Sequence, residues 1–376
     1  MTRRHHRVCT FVTLLGTGLL CMLVVAPALA QNGGISREMK EGTVPINAGV
    51  INQFITTQVQ GLSSDNPQVQ KSAREALVDE TGGTAAPPAA GFMEAYSAAL
   101  NQAIGSALKN PAMRTRLNAG ITVAKVAERA KNAKLIDATL TLLADDAQPV
   151  VLWGMKASRW VLPSVVANPA AVPNGAKLIP AILSAAKKYP TGPITQEAYD
   201  ALMMDLANAR AQLDPLPVVL PAILDLFGAR VKQYVGGVPE EPKTDNKVTL
   251  FLTAWHIWNA MTPEQRAQAM QTMSDLLWVS SQRLASLQRD QRGALIDTMK
   301  STASAVKVVG NDILGDANLT AAAAAADRAM IEATRNEEIT KVTANLLAAI
   351  RKNPAFNGIK DPPEIEPNSA TNGAPK

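Results

Sequence analysis

The chain has 376 residues, of which 4% are aromatic, and a formal net charge of +5. Removing the three arginines among the first 30 residues would leave 34 basic against 32 acidic side chains. So small a net charge provides no large basic field for nucleic acid or anionic lipid, and we expect no nucleic-acid partner.

The first 30 residues have the pattern of a signal peptide. A basic start with Arg3, Arg4 and Arg7 precedes an apolar run over residues 8–25. The small-x-small sequence at 28–30 then predicts cleavage before Gln31. The chain is therefore predicted to be exported to the periplasm or cell envelope, or secreted. The ordinary secretory route is favoured over the twin-arginine route, and a lipoprotein anchored at Cys21 is a further alternative.

Cleavage would leave a mature chain without cysteine and with one histidine, His256. Disulfides, thiol chemistry and multi-histidine metal cages are then excluded, and we expect neither a metal nor a cofactor. The longest later apolar run, residues 216–235, is interrupted by Pro221, Asp225 and Arg230. We therefore expect no membrane span after signal cleavage.

Apolar residues recur at helical spacing in paired segments, which predicts an all-α fold. The first segment carries Ile51, Phe54, Ile55, Val59 and Leu62, and the second carries Val69, Ala73, Ala76 and Leu77. A Pro-marked turn separates them, and similar turns recur at Pro111 and Pro149, 44 and 38 residues further on. Recurring hairpins of this length predict an α-solenoid-like array of antiparallel helical hairpins.

The second helices of these hairpins resemble those of HEAT-type (armadillo-type) repeats, which open with a Pro-x-Val turn. The first copy matches well at Pro67, Val69, Ala73, Ala76 and Leu77. The second copy matches partly, at Pro111, Met113 and Leu117, and the third places Arg159 where the first has Leu77. The resemblance covers the N-terminal half and implies protein binding or scaffolding. The alternative is an irregular helical domain that merely uses hairpins.

The chain divides into six predicted segments. A flexible N-terminal segment at 31–45 follows the signal peptide at 1–30, and the HEAT-like repeats occupy 46–235. The remaining segments are a Gly/Pro-rich linker at 236–246, a C-terminal helical region at 247–352 and a disordered tail at 353–376. A longer helical hairpin region is predicted after residue 261, where Thr262 and Gln265 have the spacing of a capping box. Residues 263–309 form either two helices or one.

The tryptophans offer the strongest candidate site. Trp153 and Trp160 are seven residues apart, and Trp255 and Trp258 are three apart on a predicted aromatic helix, so each pair lies on one helical face. Facing a groove, a pair would stack on a sugar ring or anchor a partner; facing inward, it would be core. His256, beside Trp255, is either a polar edge residue or a ligand-contacting base.

Three functions remain open on these patterns. The first is an exported, non-enzymatic scaffold that binds an unidentified protein partner. The second is a glycan- or small-ligand-binding module with a Trp-lined groove, and the third is a hydrolase built around His256.

Overall fold

The regular structure of the described part of the protein is helical. A computed structural model describes residues 34–82, 87–206, 208, 212–332 and 335–365. Within these ranges the regular elements are helices and no strand occurs, which confirms the predicted all-α class. No helix in the described ranges is both long enough and apolar enough to cross a bilayer. The predicted signal peptide lies outside the described residues.

Seventeen α-helices occur in the described ranges, several of them preceded or followed by a 3-10 turn. The first eleven are α1 Arg37–Glu41, α2 Ala48–Leu62, α3 Pro67–Asp79, α4 Ala90–Ala103, α5 Gly105–Leu108, α6 Met113–Ala130, α7 Ile136–Leu143, α8 Gln148–Ala167, α9 Leu178–Lys188, α10 Gly192–Met203 and α11 Leu216–Gly236. The remaining six are α12 Asp245–Thr253, α13 Trp255–Ala260, α14 Pro263–Arg283, α15 Arg289–Val308, α16 Ala317–Glu332 and α17 Asn336–Lys352.

The helices of the N-terminal half pack in two rows. In the first row α2 contacts α4, α4 contacts α7, α7 contacts α9 and α9 contacts α11. In the second row α3 contacts α6, α6 contacts α8 and α8 contacts α10. Sequence neighbours such as α2 and α3, or α7 and α8, pack across the rows. This packing buries the whole first predicted stripe and Ala73 and Leu77 of the second, whereas Val69 and Ala76 are half-buried. The solenoid-like arrangement of the rows stays a prediction.

The turns between rows are built from the residues that mark them in the sequence. Pro67 occupies the first turn of α3, and the Asn66 side chain accepts the Gln68 N–H at 2.9 Å. Pro149 lies in the first turn of α8, and Asp145 accepts the Ala147 N–H at 2.7 Å just before it. Proline is tolerated there because the first amides of a helix lack an intrahelical acceptor.

Polar side chains fix the register between successive second-row helices. Gln70 of α3 donates to Thr115 of α6 at 3.2 Å, and Arg74 of α3 donates to Asn118 of α6 at 2.9 Å. These partners are 45 and 44 residues apart in sequence. The two bonds therefore join α3 to α6 at separations close to the 44 residues between Pro67 and Pro111.

A buried polar cluster lies where α10, α11 and α12 meet. Arg230 is 1% exposed, and its Nε donates to Asp245 Oδ2 at 3.2 Å. Tyr234 donates to the same oxygen at 2.5 Å, and Tyr199 donates to Oδ1 at 3.3 Å. Burial raises the pKa of the Asp245 carboxyl above its ordinary value, and the Arg230 charge opposes that rise.

The same arginine holds the segment predicted as a linker at 236–246. Arg230 donates to the Glu240 carbonyl at 2.7 Å and to the Pro190 carbonyl at 3.2 Å. A 3-10 turn forms at Pro242–Thr244, and α12 begins at Asp245, inside the predicted linker. Helices on the two sides of the segment pack together, α11 on α14 and α10 on α12. The segment therefore joins the two halves instead of separating them.

Residues 263–309 contain two α-helices and not one. Thr262 and Gln265 form the predicted capping box at the start of α14. The helix ends at Arg283, whose guanidinium donates to the carbonyls of Tyr234 and Val235 at the end of α11. A 3-10 turn at Leu284–Ser286 then leads into α15.

Both predicted flexible ends are ordered within the described ranges. In the predicted segment 31–45, α1 forms with Met39 buried, and Ile35 just before the helix is buried too. The prediction of a disordered tail is wrong for residues 353–365, because Phe356 is buried and the Lys360 backbone is hydrogen-bonded to α14. Residues 366–376 lie outside the described part of the chain.

Candidate binding face

The structure separates the predicted Trp255 and Trp258 pair. The predicted aromatic helix that carries this pair is broken at Ala254, between α12 and α13. Trp258 is 0% exposed and meets the Phe356 ring edge-on at 6.1 Å, whereas Trp255 is 64% exposed. The prediction that this pair lines a shared groove is therefore wrong, because the Trp258 ring lies in the core.

His256 is hydrogen-bonded to the backbone. Its Nε2 lies 3.0 Å from the Leu206 carbonyl oxygen, on the turn that follows α10. A carbonyl oxygen only accepts, so this contact requires the proton on Nε2 and leaves that nitrogen without a free lone pair. The bond gives His256 a structural role between α13 and the end of α10.

Trp153 and Trp160 do lie together, on the partly exposed side of α8. Seven residues of helix separate them by about 10 Å, and both rings are half-buried. Lys156 Nζ lies over the Trp153 ring at 4.8 Å. Arg159 Cζ and Lys131 Nζ each lie 5.3 Å from the Trp160 ring centroid. These distances are within the range of cation–π attraction, which orders both the rings and the cations.

The two rings border a shallow groove between neighbouring second-row helices. Its volume is about 200 Å³. It is lined by Ala124, Lys125 and Glu128 of α6, by Trp153, Lys156, Arg159 and Trp160 of α8, and by Glu197 of α10. The lining combines aromatic surface with both signs of charge, so it can contact apolar and charged groups at once.

Ion pairs connect this groove to the next two helices. Lys156 lies 3.8 Å from Glu197, and Arg159 lies 3.6 Å from Asp200. Lys247 of α12 reaches Asp200 at 3.0 Å. Burial raises the pKa of Glu197 above its ordinary value, and the positive charge of Lys156 opposes that rise.

We call this surface the tryptophan face. It consists of Trp153, Lys156, Arg159 and Trp160 of α8 with Glu197 and Asp200 of α10.

Sequence analysis identified the two tryptophans of this face but missed its charged residues. The signal was a repeated spacing: Lys156 and Glu197 are 41 residues apart, and so are Arg159 and Asp200. Two pairs of opposite charge at one separation, close to the length of the hairpin repeat, indicate equivalent positions on adjacent helices.

No cluster of three or more histidine, cysteine or carboxylate side chains suited to a metal occurs in the described ranges. No family model matches the chain, and no curated protein matches it. A search of solved structures finds the crystal structure of an engineered protein from the Northeast Structural Genomics Consortium. That protein is 14% identical, with a TM-score of 0.28 over 78% of this chain and 95% of that chain. A TM-score this low carries no argument about the fold or function of this chain.

Proposed function

We propose that this chain is an exported, non-enzymatic helical-repeat protein that binds another protein through the tryptophan face. The observation that carries the proposal is the pair Trp153 and Trp160, half-exposed along one helix with cations over both rings. Tryptophan and arginine are the residues most enriched at energetic centres of protein interfaces. Here they are held in place before any partner arrives, which lowers the entropy cost of binding.

The charges of the face indicate the chemistry of the partner. The cations Lys156 and Arg159 are engaged by single carboxylates at 3.6 to 3.8 Å, longer than a close ion pair. A partner carboxylate could approach either cation more closely than its present neighbour does. We therefore expect a partner that presents acidic side chains beside an apolar one.

A glycan is the second candidate, because a groove with tryptophans and carboxylates suits a sugar ring and its hydroxyls. A ring that stacked on Trp153 would first have to displace Lys156 from its position 4.8 Å above the indole. A protein partner can use the lysine where it stands, so the contact geometry favours protein.

The repeat resemblance and the export prediction belong to the same proposal. Hydrogen bonds between helices at separations of 44 and 45 residues support HEAT-like stacking in the N-terminal half. The export prediction is supported by the sequence of residues 1–30. N-terminal sequencing of the protein from its native cells should find Gln31 first, and recovery of Met1 would contradict cleavage.

Site-specific photocrosslinking in native cells tests the binding proposal. A photoreactive amino acid at Arg159 should capture a discrete protein product. The same group at Val218, which is 52% exposed on α11 in the first row, is the matched control and should not capture it. Equal capture from both positions, or none from Arg159, would refute binding through this face.

A further inference from the structure

Residues 359–365, which we call the strap, lie along the surface of α14. The chain is anchored just before them by Phe356, which is buried against Trp258. The strap then runs without helix. Its residues pass from Gln271 toward Trp278, in the direction of the helix, since Lys360 is bonded to Gln271 and residues 362–365 line the same space as Trp278.

The side chain of Gln271 forms hydrogen bonds to the backbone of the strap. Its side-chain Oε1 accepts the Lys360 N–H at 2.6 Å, and its Nε2 donates to the Lys360 carbonyl at 3.4 Å. The same Nε2 donates to Asp275 at 2.8 Å, which fixes the orientation of the amide. The one side-chain amide thus hydrogen-bonds to both the N–H and the carbonyl of Lys360. A neighbouring β-strand binds an extended peptide through the same two main-chain groups. Any residue with an N–H would fit at this position.

The side chains of the strap divide by polarity. Ile359, Pro362, Pro363 and Ile365 are half-buried, whereas Lys360, Asp361 and Glu364 are exposed. Arg351 of α17 binds Asp361 at 2.7 Å. Adjacent prolines favour the extended polyproline conformation, which loses little entropy when it binds.

Open space borders the strap on both sides. Toward α11 the space is about 600 Å³, and its lining includes Lys187, Leu224, Lys232, Gln271 and Asp275. Toward α17 it is about 630 Å³, and its lining includes Trp278, Gln282, Ala344, Leu347 and Arg351. The surface is thus a groove wider than its present occupant, with Trp278, Lys232 and Arg351 along it. Asp225 also lines the groove and pairs with Lys187 at 2.7 Å, so Lys232 and Arg351 are the cations that an acidic peptide would meet.

We propose that this groove on α14 is a binding site for an extended, proline-containing acidic peptide, and that the strap is its built-in occupant. A partner segment of the same chemistry would replace the strap by competing for Gln271, Arg351 and the apolar wall beside Trp278. The proposal uses none of the residues of the tryptophan face, so the two sites can succeed or fail independently.

Hydrogen exchange on the full chain tests occupancy. The probe is a synthetic peptide of residues 357–367 with acetylated and amidated ends, which removes terminal charges. In excess, it should speed exchange of the Lys360 amide, because the displaced strap loses its bond to Gln271. Gln271→Ala should speed the same amide about three- to tenfold without peptide, the range expected for one hydrogen bond. Gln268→Ala changes an exposed glutamine one turn earlier that lines the same space, so it is the matched control for loss of a groove side chain while the Gln271 bond to Lys360 is kept.

Direct binding of the labelled peptide tests the groove. Asp361→Arg places a cation opposite Arg351 and should loosen the strap, so the peptide should bind this variant at least about threefold more tightly than the unaltered chain. Adding Gln271→Ala should weaken binding again, and a peptide with both prolines replaced by glycine should bind less. Should Asp361→Arg fail to fold, Pro362→Gly with Pro363→Gly loosens the strap by another route.

The binding measurements with the labelled peptide decide whether the groove binds such a peptide. Saturable binding that depends on Gln271 and on the prolines supports the proposal, as does a dimer in which a second copy supplies its strap. No saturable binding to either loosened variant, or binding that ignores Gln271→Ala and the proline change, would overturn it.

Discussion

Arg230 and Asp245 are two oppositely charged side chains buried where three helices meet. Their exposures are 1% and 0%, and four hydrogen bonds from Arg230 and two tyrosines satisfy much of the cluster. The attraction within such a pair roughly offsets the cost of removing both charges from water. Losing one partner is different, because the other charge then stays buried without compensation.

We predict that Arg230→Met lowers the free energy of unfolding by about 3–5 kcal/mol at pH 7.5. Burial already raises the pKa of Asp245, so its ionised form destabilises the fold as the pH rises above the ordinary carboxyl value of 3.8. Removing Arg230 raises that pKa further. The deficit of the variant should therefore be smaller at pH 5 than at pH 7.5, as measured by urea unfolding at both values.

The double variant Arg230→Met with Asp245→Asn is the control for this prediction. It removes the uncompensated charge while keeping an acceptor for Tyr199 and Tyr234, so it should regain part of the lost stability. A single variant that costs less than about 1 kcal/mol, or a double variant no better than the single, would contradict a buried charge pair.

The sequence did not reveal that Arg230 and Asp245 form a pair. Arg230 only interrupts an apolar run, and Asp245 only falls within the predicted linker at 236–246. Both side chains can be buried because they bind each other, although they are 15 residues apart in sequence. Tyr199, from another helix, adds a hydrogen bond to Asp245. A pairing of that kind depends on tertiary structure and has no local periodicity.

Among the helices, α7 and α8 approach each other very closely at Gly154. A Cβ added there would lie 2.9 Å from Leu142 Cβ and 2.9 Å from the Leu143 backbone nitrogen. Backbone atoms cannot move aside as a flexible side chain can. The absence of a side chain at Gly154 is thus what allows this helix pair to pack.

We predict that Gly154→Ala lowers the free energy of unfolding by about 1–3 kcal/mol, the usual cost of overpacking. Gly293→Ala is the matched control, since Gly293 lies in α15 and a Cβ there would meet nothing within 4 Å. That change should stabilise the protein by roughly 0.5–1 kcal/mol, because alanine loses less backbone freedom in a helix. Thermal and urea unfolding would measure both, and equal effects of one sign would contradict the close approach.

Helices with regular apolar stripes were predictable, and breaks without a sequence signal were not. The stripe from Ile51 to Leu62 became α2, and the capping box at Thr262 marked the start of α14. The break at Ala254 falls at a good helix former, where propensity favours continuation. Beyond it Trp258 is buried and Trp255 exposed, so tertiary packing outweighs local preference.

At the scale of the molecule, one apolar core extends from Ile35 to Phe356 within the described residues. It therefore continues past the segment at 236–246 that was predicted as a linker. Glycine and proline there mark an irregular connection, which sequence composition cannot distinguish from a domain boundary. Residues of the N-terminal and C-terminal portions are therefore buried in the same core.

The tryptophan face could be predicted only in part for a related reason. The spacing of Trp153 and Trp160 along one helix is visible in the sequence, because positions seven apart share a face. Their half-buried state and the pairing of α8 with Glu197 and Asp200 depend on how adjacent hairpins stack. Those contacts could be identified only from the structure.

Whether the tryptophan face binds a protein is tested most directly by the size of the native complex that contains the tagged chain. We predict that Trp160→Ala shifts the chain from a larger species to the size of the free protein in gently solubilised native cells, since one central tryptophan contributes about 2 kcal/mol or more. Trp255→Ala, which removes a more exposed tryptophan away from that face, should leave the complex intact. Thermal unfolding of both variants verifies folding, and Lys156→Glu repeats the test at a second residue of the same face. A complex that survives both Trp160→Ala and Lys156→Glu in folded protein would contradict binding through this face.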